Sequence, residues 1–177
     1  GEIYIPDGRF ELKKNDRIAL TAAPNELHKL MKNLGILKRQ ARNVMIIGAS
    51  RISFYLAKKL LNSGISVKII ERDKEKCKEF AKSLPNAVII NGDGSREDLL
   101  LEEGIKNMDA VISLTDNDEE NILNSFFVST LDVPKIVTRV DRNELYSTAE
   151  KLGLDSIVSP NKSVAGIILR YVRAIEN

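Results

Sequence analysis

Residues 44–53 read Val-Met-Ile-Ile-Gly-Ala-Ser-Arg-Ile-Ser, and this stretch decides the fold. The four apolar residues predict a buried strand, and Gly48 permits the tight turn that must follow it. A helical pattern comes next and extends from Phe54 to Asn62. A glycine turn between a buried strand and a helix is where dinucleotide-binding α/β proteins hold a pyrophosphate on backbone N–H groups. The stretch therefore predicts a Rossmann-type βα unit.

Short β-branched runs alternate with helical segments from this point onward. Strands are predicted at residues 44–47, 67–70, 87–90, 110–114, 135–140 and 156–158. Because the runs are apolar on both faces, they favour a parallel sheet covered by helices on both sides. The order predicts an α/β fold with a Rossmann-type, doubly wound, six-stranded parallel sheet. Capping-box spacing predicts two helix starts, one with Ser95 and Asp98 and one with Asp141 and Glu144.

The chain is predicted to contain four segments. Residues 1–37 suggest strand, turn, strand and a short helix that opens at Pro24 and stops near Gly35, a small α+β lobe remnant that could not fold alone. Residues 38–42 are interpreted as a linker, and residues 43–159 as the Rossmann domain. Residues 160–177 form a final helix whose apolar stripe must pack on its own sheet or on a partner.

Composition excludes several classes of function. The formal net charge of +2 over 177 residues gives no reason to expect binding of nucleic acid, which requires a basic face or stripe. No apolar run approaches the roughly 20 residues that span a bilayer. The single histidine, His28, and the single cysteine, Cys77, supply neither a metal site nor an activated nucleophile. We therefore expect a cytoplasmic protein without catalytic or metal-ligating residues.

The glycine loop contains the first candidate binding residues. Backbone groups from Gly48 to Ile52, which include Ala49, Ser50 and Arg51, are predicted to hold phosphates. Serine replaces the second and third glycines of the fingerprint, at Ser50 and Ser53. Two interpretations stay open: close backbone approach survives with a hydroxyl added, or the turn keeps its shape without a ligand.

The ends of the second and third strands contribute the next candidates. Glu71 follows the second strand, where an acidic residue hydrogen-bonds ribose hydroxyls and disfavours a 2′-phosphate. This favours NAD(H) or adenosine nucleotides over NADP(H). Arg72 and Asp73 either reach the adenosine or are ordinary surface charges. Asp93 and Gly94 either let backbone approach a base or ribose, or form a simple tight turn.

The fourth and fifth strands end in two further candidates. Thr115 is placed to face the second half of a dinucleotide. The acids from Asp116 to Glu120 fall in the first turn of a helix, where they stabilise the helix dipole. Arg139 follows the fifth strand and is predicted to pair either with a phosphate or with one of these acids.

These residues together make the chain resemble the RCK (regulator of potassium conductance) family, also called the Trk N-terminal family, and particularly its TrkA-type subunits. The resemblance covers residues 42–177 and depends on blocks in a fixed order, namely the loop 48–53, residues 67–73, 91–95 and 137–140, and Thr115 and Asp116 with Glu119 and Asn121. Residues 1–37 are similar to the end of the C-terminal lobe that follows a first such domain in a tandem chain.

The resemblance implies a cytosolic regulator, not an enzyme. Members assemble as homodimers or larger rings at the inner face of the membrane and gate an integral-membrane potassium channel or transporter when a nucleotide binds. By resemblance, the glycine loop holds phosphates, Glu71 the ribose, Asp93 and Gly94 the adenosine, and Arg139 a phosphate or a partner in the cleft. Two alternatives stay open: a structural dimerisation module with an empty cleft, and an NAD-dependent oxidoreductase domain that lacks its catalytic part.

Overall fold

The computed structural model describes residues 10, 11, 13, 20–35, 41–154 and 156–160. Two compact units divide the chain, residues 1–40 and residues 41–177. The strands predicted before residue 20, most of the linker and the final helix after Pro160 lie outside the described residues. No helix in the described ranges has the length and apolar character needed to cross a membrane.

The first unit contains one described helix, α1, at Pro24–Asn33. The predicted start at Pro24 is confirmed. The helix is followed by Gly35, whose φ of +67° is in the left-handed region that glycine adopts without strain. The predicted stop is therefore confirmed as well.

A six-stranded parallel sheet forms the centre of the second unit. Its strands are β1 Asn43–Ile47, β2 Ser66–Glu71, β3 Val88–Asn91, β4 Ala110–Ser113, β5 Ile136–Arg139 and β6 Ile157–Val158. Their order in the sheet is β3-β2-β1-β4-β5-β6, and each neighbouring pair is parallel. This is the doubly wound order of a Rossmann fold, so the predicted fold class is confirmed.

Helices cover both faces of the sheet. They are α2 Arg51–Asn62, α3 Lys74–Ser83, α4 Glu97–Glu102, α5 Asp118–Ser129 and α6 Asn143–Lys151. Alternate residues of β1 face opposite layers: Val44 and Ile46 pack with α2 and α3, whereas Met45 and Ile47 pack with α4 and α5. Because both faces are buried, β1 is apolar from Val44 to Ile47, as the sequence pattern predicts.

The two predicted capping boxes are wrong. Helix α4 is preceded by Arg96 and helix α6 by Arg142, and neither side chain caps its helix. The Ser95 hydroxyl donates to Asp93 Oδ1 at 2.7 Å instead of capping α4. The predicted caps, Ser95 and Asp141, satisfy other local groups instead. Helices α4 and α6 therefore each begin one residue later than the capping-box spacing predicts.

The strand order determines where a ligand can lie. Strand β1 is flanked by β2 on one side and by β4 on the other, and the chain winds outward in opposite directions from these two neighbours. The loops at the carboxyl ends of β1 and β4 therefore diverge and leave a crevice between them.

Candidate functional site

A cavity of about 200 Å³ occupies the crevice at the carboxyl ends of β1, β2 and β4. We call it the cleft. Seven of the residues predicted from the sequence line it: Gly48, Ala49, Ser50, Glu71, Arg72, Gly94 and Thr115. Seven others that were not predicted to bind a ligand also line it: Ile47, Ile70, Lys76, Leu114, Asp116, Asn117 and Glu120.

Gly48 brings the first and fourth strands into close contact. Its φ is +99°, and a Cβ atom at this position would lie 2.8 Å from the backbone nitrogen of Thr115. Both the conformation and the space exclude a side chain. Gly48 therefore holds the loop after β1 directly against the loop after β4, which sets the width of the cleft.

The two serines that replace fingerprint glycines build the start of α2. Ser50 is the N-cap, and its hydroxyl accepts from the Ser53 N–H while the Ser53 hydroxyl accepts from the Ser50 N–H, each at 3.2 Å. Ser53 is fully buried, and its hydroxyl also donates to the Gly48 carbonyl at 2.6 Å. The loop is thus a reciprocal capping box that the chain closes with its own atoms.

Two backbone amides remain available at this helix start. The Ala49 amide donates to Glu71 at 2.7 Å, and the Ser50 and Ser53 amides are engaged in the capping box. Within the described part of the chain, the amides of Arg51 and Ile52 have no acceptor. They occupy the first turn of α2, where free N–H groups and the helix dipole attract an anion. The Ile52 side chain is exposed, so these residues would act through their backbone.

Glu71 is the most constrained acid at the cleft. It is only 8% exposed. Its Oε2 accepts from the Ala49 amide and its Oε1 accepts from the Asp73 amide, both at 2.7 Å. Asn91 fixes the same turn, since its Nδ2 donates to the carbonyls of Glu71 at 3.1 Å and Arg72 at 3.0 Å. The carboxylate therefore ties β2 to the glycine loop before any ligand arrives.

Two predicted acids lie outside the cleft and stabilise local turns. Asp73 caps α3 by accepting from the amides of Lys76 and Glu75, and these hydrogen bonds lower the pKa of its carboxyl. Asp93 accepts from the amide and hydroxyl of Ser95, which likewise lowers its pKa. Asp93 lines a second cavity of about 650 Å³ between α4 and α5, which we call the groove.

Asn121 organises the opposite wall of the cleft and was not predicted as a site residue. It is fully buried. Its Oδ1 accepts from the amide and hydroxyl of Thr115 at 2.9 and 2.8 Å. Its Nδ2 donates to the carbonyls of Thr115 and Arg139, both at 3.1 Å. The available signal was its place among the residues that carry the family resemblance, together with the rule that a buried amide requires partners.

Arg139 joins the loops after β4 and β5 and does not line the cleft. Its guanidinium donates to Asp141 Oδ2 at 2.7 Å and to Asp116 Oδ1 at 3.1 Å. Of the two partners predicted for Arg139, the structure therefore shows the acids. Asp118 reinforces this junction, since its Oδ2 accepts from the amides of Asp141 at 3.0 Å and Arg142 at 2.8 Å.

Glu120 lines the cleft, although the sequence analysis assigned it only to stabilising the dipole of a helix. It lies in the first turn of α5 and lines both the cleft and the groove. Burial raises the pKa of its carboxyl, while the positive charge of Arg72 opposes that rise and the negative charges of Asp93 and Glu71 add to it. Glu120 thus lines the same two cavities as Arg72 of the loop after β2.

A family comparison agrees with this arrangement. The model of the TrkA-N domain matches residues 44–160, which include every strand of the sheet. The chain belongs to the TrkA-N family. Two curated relatives are both named as Trk system potassium uptake proteins. The TrkA homolog 2 of Methanosarcina mazei is 35% identical over 96% of this chain and 38% of its own length. The TrkA of Haemophilus influenzae is 32% identical over 98% of this chain and 38% of its own length.

Solved structures share the TrkA-N fold at low sequence identity. The TrkA-N domain of the inner membrane protein ybaL from Escherichia coli has a TM-score of 0.67 at 16% identity, over 75% of this chain and 97% of that one. The Kef C-terminal domain of Shewanella denitrificans in its AMP-bound form has a TM-score of 0.61 at 18% identity, over 76% and 82%. The GsuK channel bound to NAD has a TM-score of 0.58 at 14% identity, over 76% and 26%.

The thiol of Cys77 lies beside β2 and does not line the cleft. Cys77 is buried, its thiol donates to the Glu71 carbonyl at 3.3 Å, and burial raises its pKa, so the reactive thiolate is disfavoured. Among the described residues, no three or more His, Cys, Asp or Glu side chains come together as a possible metal site. The groups that face the cleft are hydrogen-bond donors and acceptors and fixed charges.

Proposed function

We propose that this chain is a nucleotide-sensing, non-catalytic module of a potassium uptake system. It binds NAD(H) or an adenine nucleotide in the cleft and works as a homodimer or larger ring with an integral-membrane potassium channel or transporter, at the cytoplasmic face of the membrane. The names of the TrkA relatives support the role in potassium uptake. The chain spans 38% of the length of these two relatives, so the activity of the whole protein is part of the proposal.

The proposal depends above all on the first turn of α2. Arg51 and Ile52 do not line the cleft themselves, but their free amides directly follow Ser50, the N-cap of α2, which does line it. This combination suits a phosphate or pyrophosphate, because N–H groups and helix dipole both favour negative charge.

The ribose contact is expected at Glu71. Each carboxylate oxygen already accepts one amide, but an ionised carboxylate offers about four acceptor positions. A ribose hydroxyl can therefore donate to Glu71 without breaking the glycine loop. The cationic side chains of Arg72 and Lys76 line the same part of the cleft and balance an anionic ligand. The structures named as bound to AMP and to NAD support this class of ligand.

A ligand would regulate by shifting a conformational equilibrium, and it can do so only through different affinities for two states. The cleft is lined by four separate loops, after β1, β2, β3 and β4, so a bound nucleotide would restrain their relative positions. We also propose that residues 1–37 are the end of a preceding C-terminal lobe and that residues 160–177 form a crossover helix.

A second candidate is a structural module whose cleft stays empty. The capping box of Ser50 and Ser53 and the contact between Ala49 and Glu71 close the loop without a ligand, which favours this alternative. It differs from the sensor in one measurable property, the affinity for nucleotides.

Calorimetric titration with NAD⁺, NADH, ATP, ADP and AMP separates the two candidates, and amide chemical shifts locate any binding. The sensor requires saturable binding of at least one of these nucleotides, with the largest shifts at the amides of Arg51 and Ile52. The amides of α6, which lies outside the cleft, serve as the internal reference. A folded chain that binds none of the five nucleotides is a structural module, and the proposal is then wrong.

A further inference from the structure

We propose that Glu120 selects the base of the bound nucleotide by accepting a hydrogen bond from the exocyclic amino group of adenine. The inference rests on the proposed function, since it concerns the same cleft. It assigns base selection to a residue of α5, whereas the sequence pattern pointed only to the loops after β2 and β3.

Each of the other acids near the cleft has at least one contact within the fold. Both oxygens of Glu71 accept backbone amides. Asp116 forms an ion pair with Arg139 at 3.1 Å. Asp73 accepts two amides of α3, and Asp93 Oδ1 accepts the amide and hydroxyl of Ser95. These carboxylates therefore stabilise the fold through hydrogen bonds or an ion pair.

Glu120 differs from them because its carboxylate has no hydrogen-bond or ion-pair partner within the described residues. The backbone amide of Glu120 donates to Oδ1 of Asn117, the N-cap of α5, and this hydrogen bond fixes the backbone of the first turn. The side chain is half-buried, so water satisfies its oxygens incompletely. A partly desolvated carboxylate without a partner favours a ligand that brings a hydrogen-bond donor.

The position of Glu120 points to the base rather than to the phosphates. It lines the cleft together with Glu71 and the groove together with Asp93, so it stands where the two cavities meet. Arg72 lines both cavities as well. A nucleotide whose phosphate lies at the α2 N-terminus and whose ribose lies at Glu71 extends its base toward this junction.

Purine chemistry then determines the selectivity. The 6-amino group of adenine carries two donor hydrogens, whereas purine riboside has only a carbon-bound hydrogen at that position. A hydrogen bond to a charged group contributes about 1.5–3 kcal/mol, which is about tenfold or more in affinity.

The test compares AMP with purine riboside 5′-monophosphate, which lacks only the amino group. Calorimetry measures both dissociation constants for the native chain, for Glu120→Ala and for Glu144→Ala. Glu144 is a matched control, because it is an exposed glutamate in the first turn of α6 and lines neither cavity.

We expect the native chain and Glu144→Ala to prefer AMP by about tenfold or more, and Glu120→Ala to bind both nucleotides within about twofold of each other. Glu120→Ala should still bind purine riboside 5′-monophosphate as the native chain does. An unchanged preference for AMP in Glu120→Ala would overturn the inference and leave the sensor intact. Failure of every nucleotide to bind the native chain would overturn the proposed function, and the inference with it.

Discussion

The two walls of the cleft are held in place by different kinds of contact. The wall made by the glycine loop is stabilised over short distances in the sequence, through the pairing of Ser50 with Ser53. The wall made by the loop after β4 is stabilised across the sheet, through Asn121 and Arg139. The local wall keeps two amides free, and the long-range wall keeps one carboxylate free, at Glu120. Each wall is therefore held by its own contacts and presents a group complementary to a nucleotide. The amides can donate to a phosphate, and the carboxylate can accept from the base.

The contact between the walls should be the most sensitive point. Gly48→Ala places a Cβ atom 2.8 Å from the Thr115 backbone nitrogen and imposes a positive φ on alanine. We expect the free energy of unfolding to fall by roughly 3–4 kcal/mol, from about 1–2 of backbone strain and the remainder from steric overlap. Urea denaturation measures it. Gly64→Ala is the matched control, since its φ of +76° is similar and nothing lies within 4 Å. Equal losses in both variants would show that the walls do not meet tightly.

Replacing Asn121 in the long-range wall should lower the free energy of unfolding by nearly as much. Asn121→Ala removes four hydrogen bonds from a fully buried side chain and leaves the Thr115 amide without its acceptor. We expect a loss of about 2–3 kcal/mol. Asn124→Ala is the control in the same helix, because Asn124 is also buried but its Nδ2 has no partner within the described residues. If Asn124→Ala costs as much as Asn121→Ala, packing rather than hydrogen bonding holds this wall.

A substitution in the local wall should lower the free energy of unfolding by a smaller amount. Ser50→Ala removes the N-cap of α2, and we expect unfolding free energy to fall by about 1 kcal/mol. Ser63→Ala provides the comparison, because the Ser63 hydroxyl is exposed and donates only to the Lys59 carbonyl at the other end of α2. A Ser50→Ala effect no larger than that of Ser63→Ala would mean that the capping box contributes little to the loop.

The acidity of Glu120 should give the smallest effect. Burial raises its pKa above the ordinary value of 4.5, so the folded state binds a proton more readily than the unfolded chain. Its contribution to stability is therefore complete below pH 4.5 and is lost as the pH rises through the folded pKa. Compared with the native chain, Glu120→Gln should gain stability at pH 7 and not at pH 4, as measured by urea denaturation. An equal difference at both pH values would contradict the burial of this carboxyl.

Local sequence patterns explain what could be predicted. The six strands, the glycine turn and the acid after β2 follow from periodicity and from the steric freedom of Gly48, which act over a few residues. Asn121 of α5 contacts the end of β5, and Arg139 contacts the loop after β4, so the roles of both residues depend on the strand order. Glu120 was interpreted only as a dipole-stabilising charge, because its position at the junction of two cavities arises from the packing of α5.

The capping boxes show how equivalent local signals can lead to different structures. Ser50 and Ser53 pair as a capping box, although the sequence analysis interpreted them only as replacements for two glycines of the fingerprint. Ser95 and Asp98 have the same spacing but do not pair, because Asp93 takes the Ser95 hydroxyl and Arg96 takes Asp98. Competition between nearby polar groups decides the outcome, and spacing alone does not resolve that competition.

The central claim is that backbone amides at the start of α2 bind the phosphate of a nucleotide, and one pair of variants tests it most directly. Arg51→Pro removes the amide hydrogen at the first helical position, where proline is tolerated. The preceding Ser50 is already extended, with φ −91° and ψ 168°, as a residue before proline requires. Arg51→Ala keeps the amide and removes only the side chain.

Calorimetric titration of both variants with AMP and NAD⁺ isolates the contribution of that one amide. We predict that Arg51→Pro binds either nucleotide about tenfold more weakly than Arg51→Ala, because a charge-assisted hydrogen bond is lost. Unfolding free energies of the two variants, within about 0.5 kcal/mol of each other, would exclude a folding defect. Equal affinities of Arg51→Pro and Arg51→Ala would contradict the claim that this amide holds the phosphate.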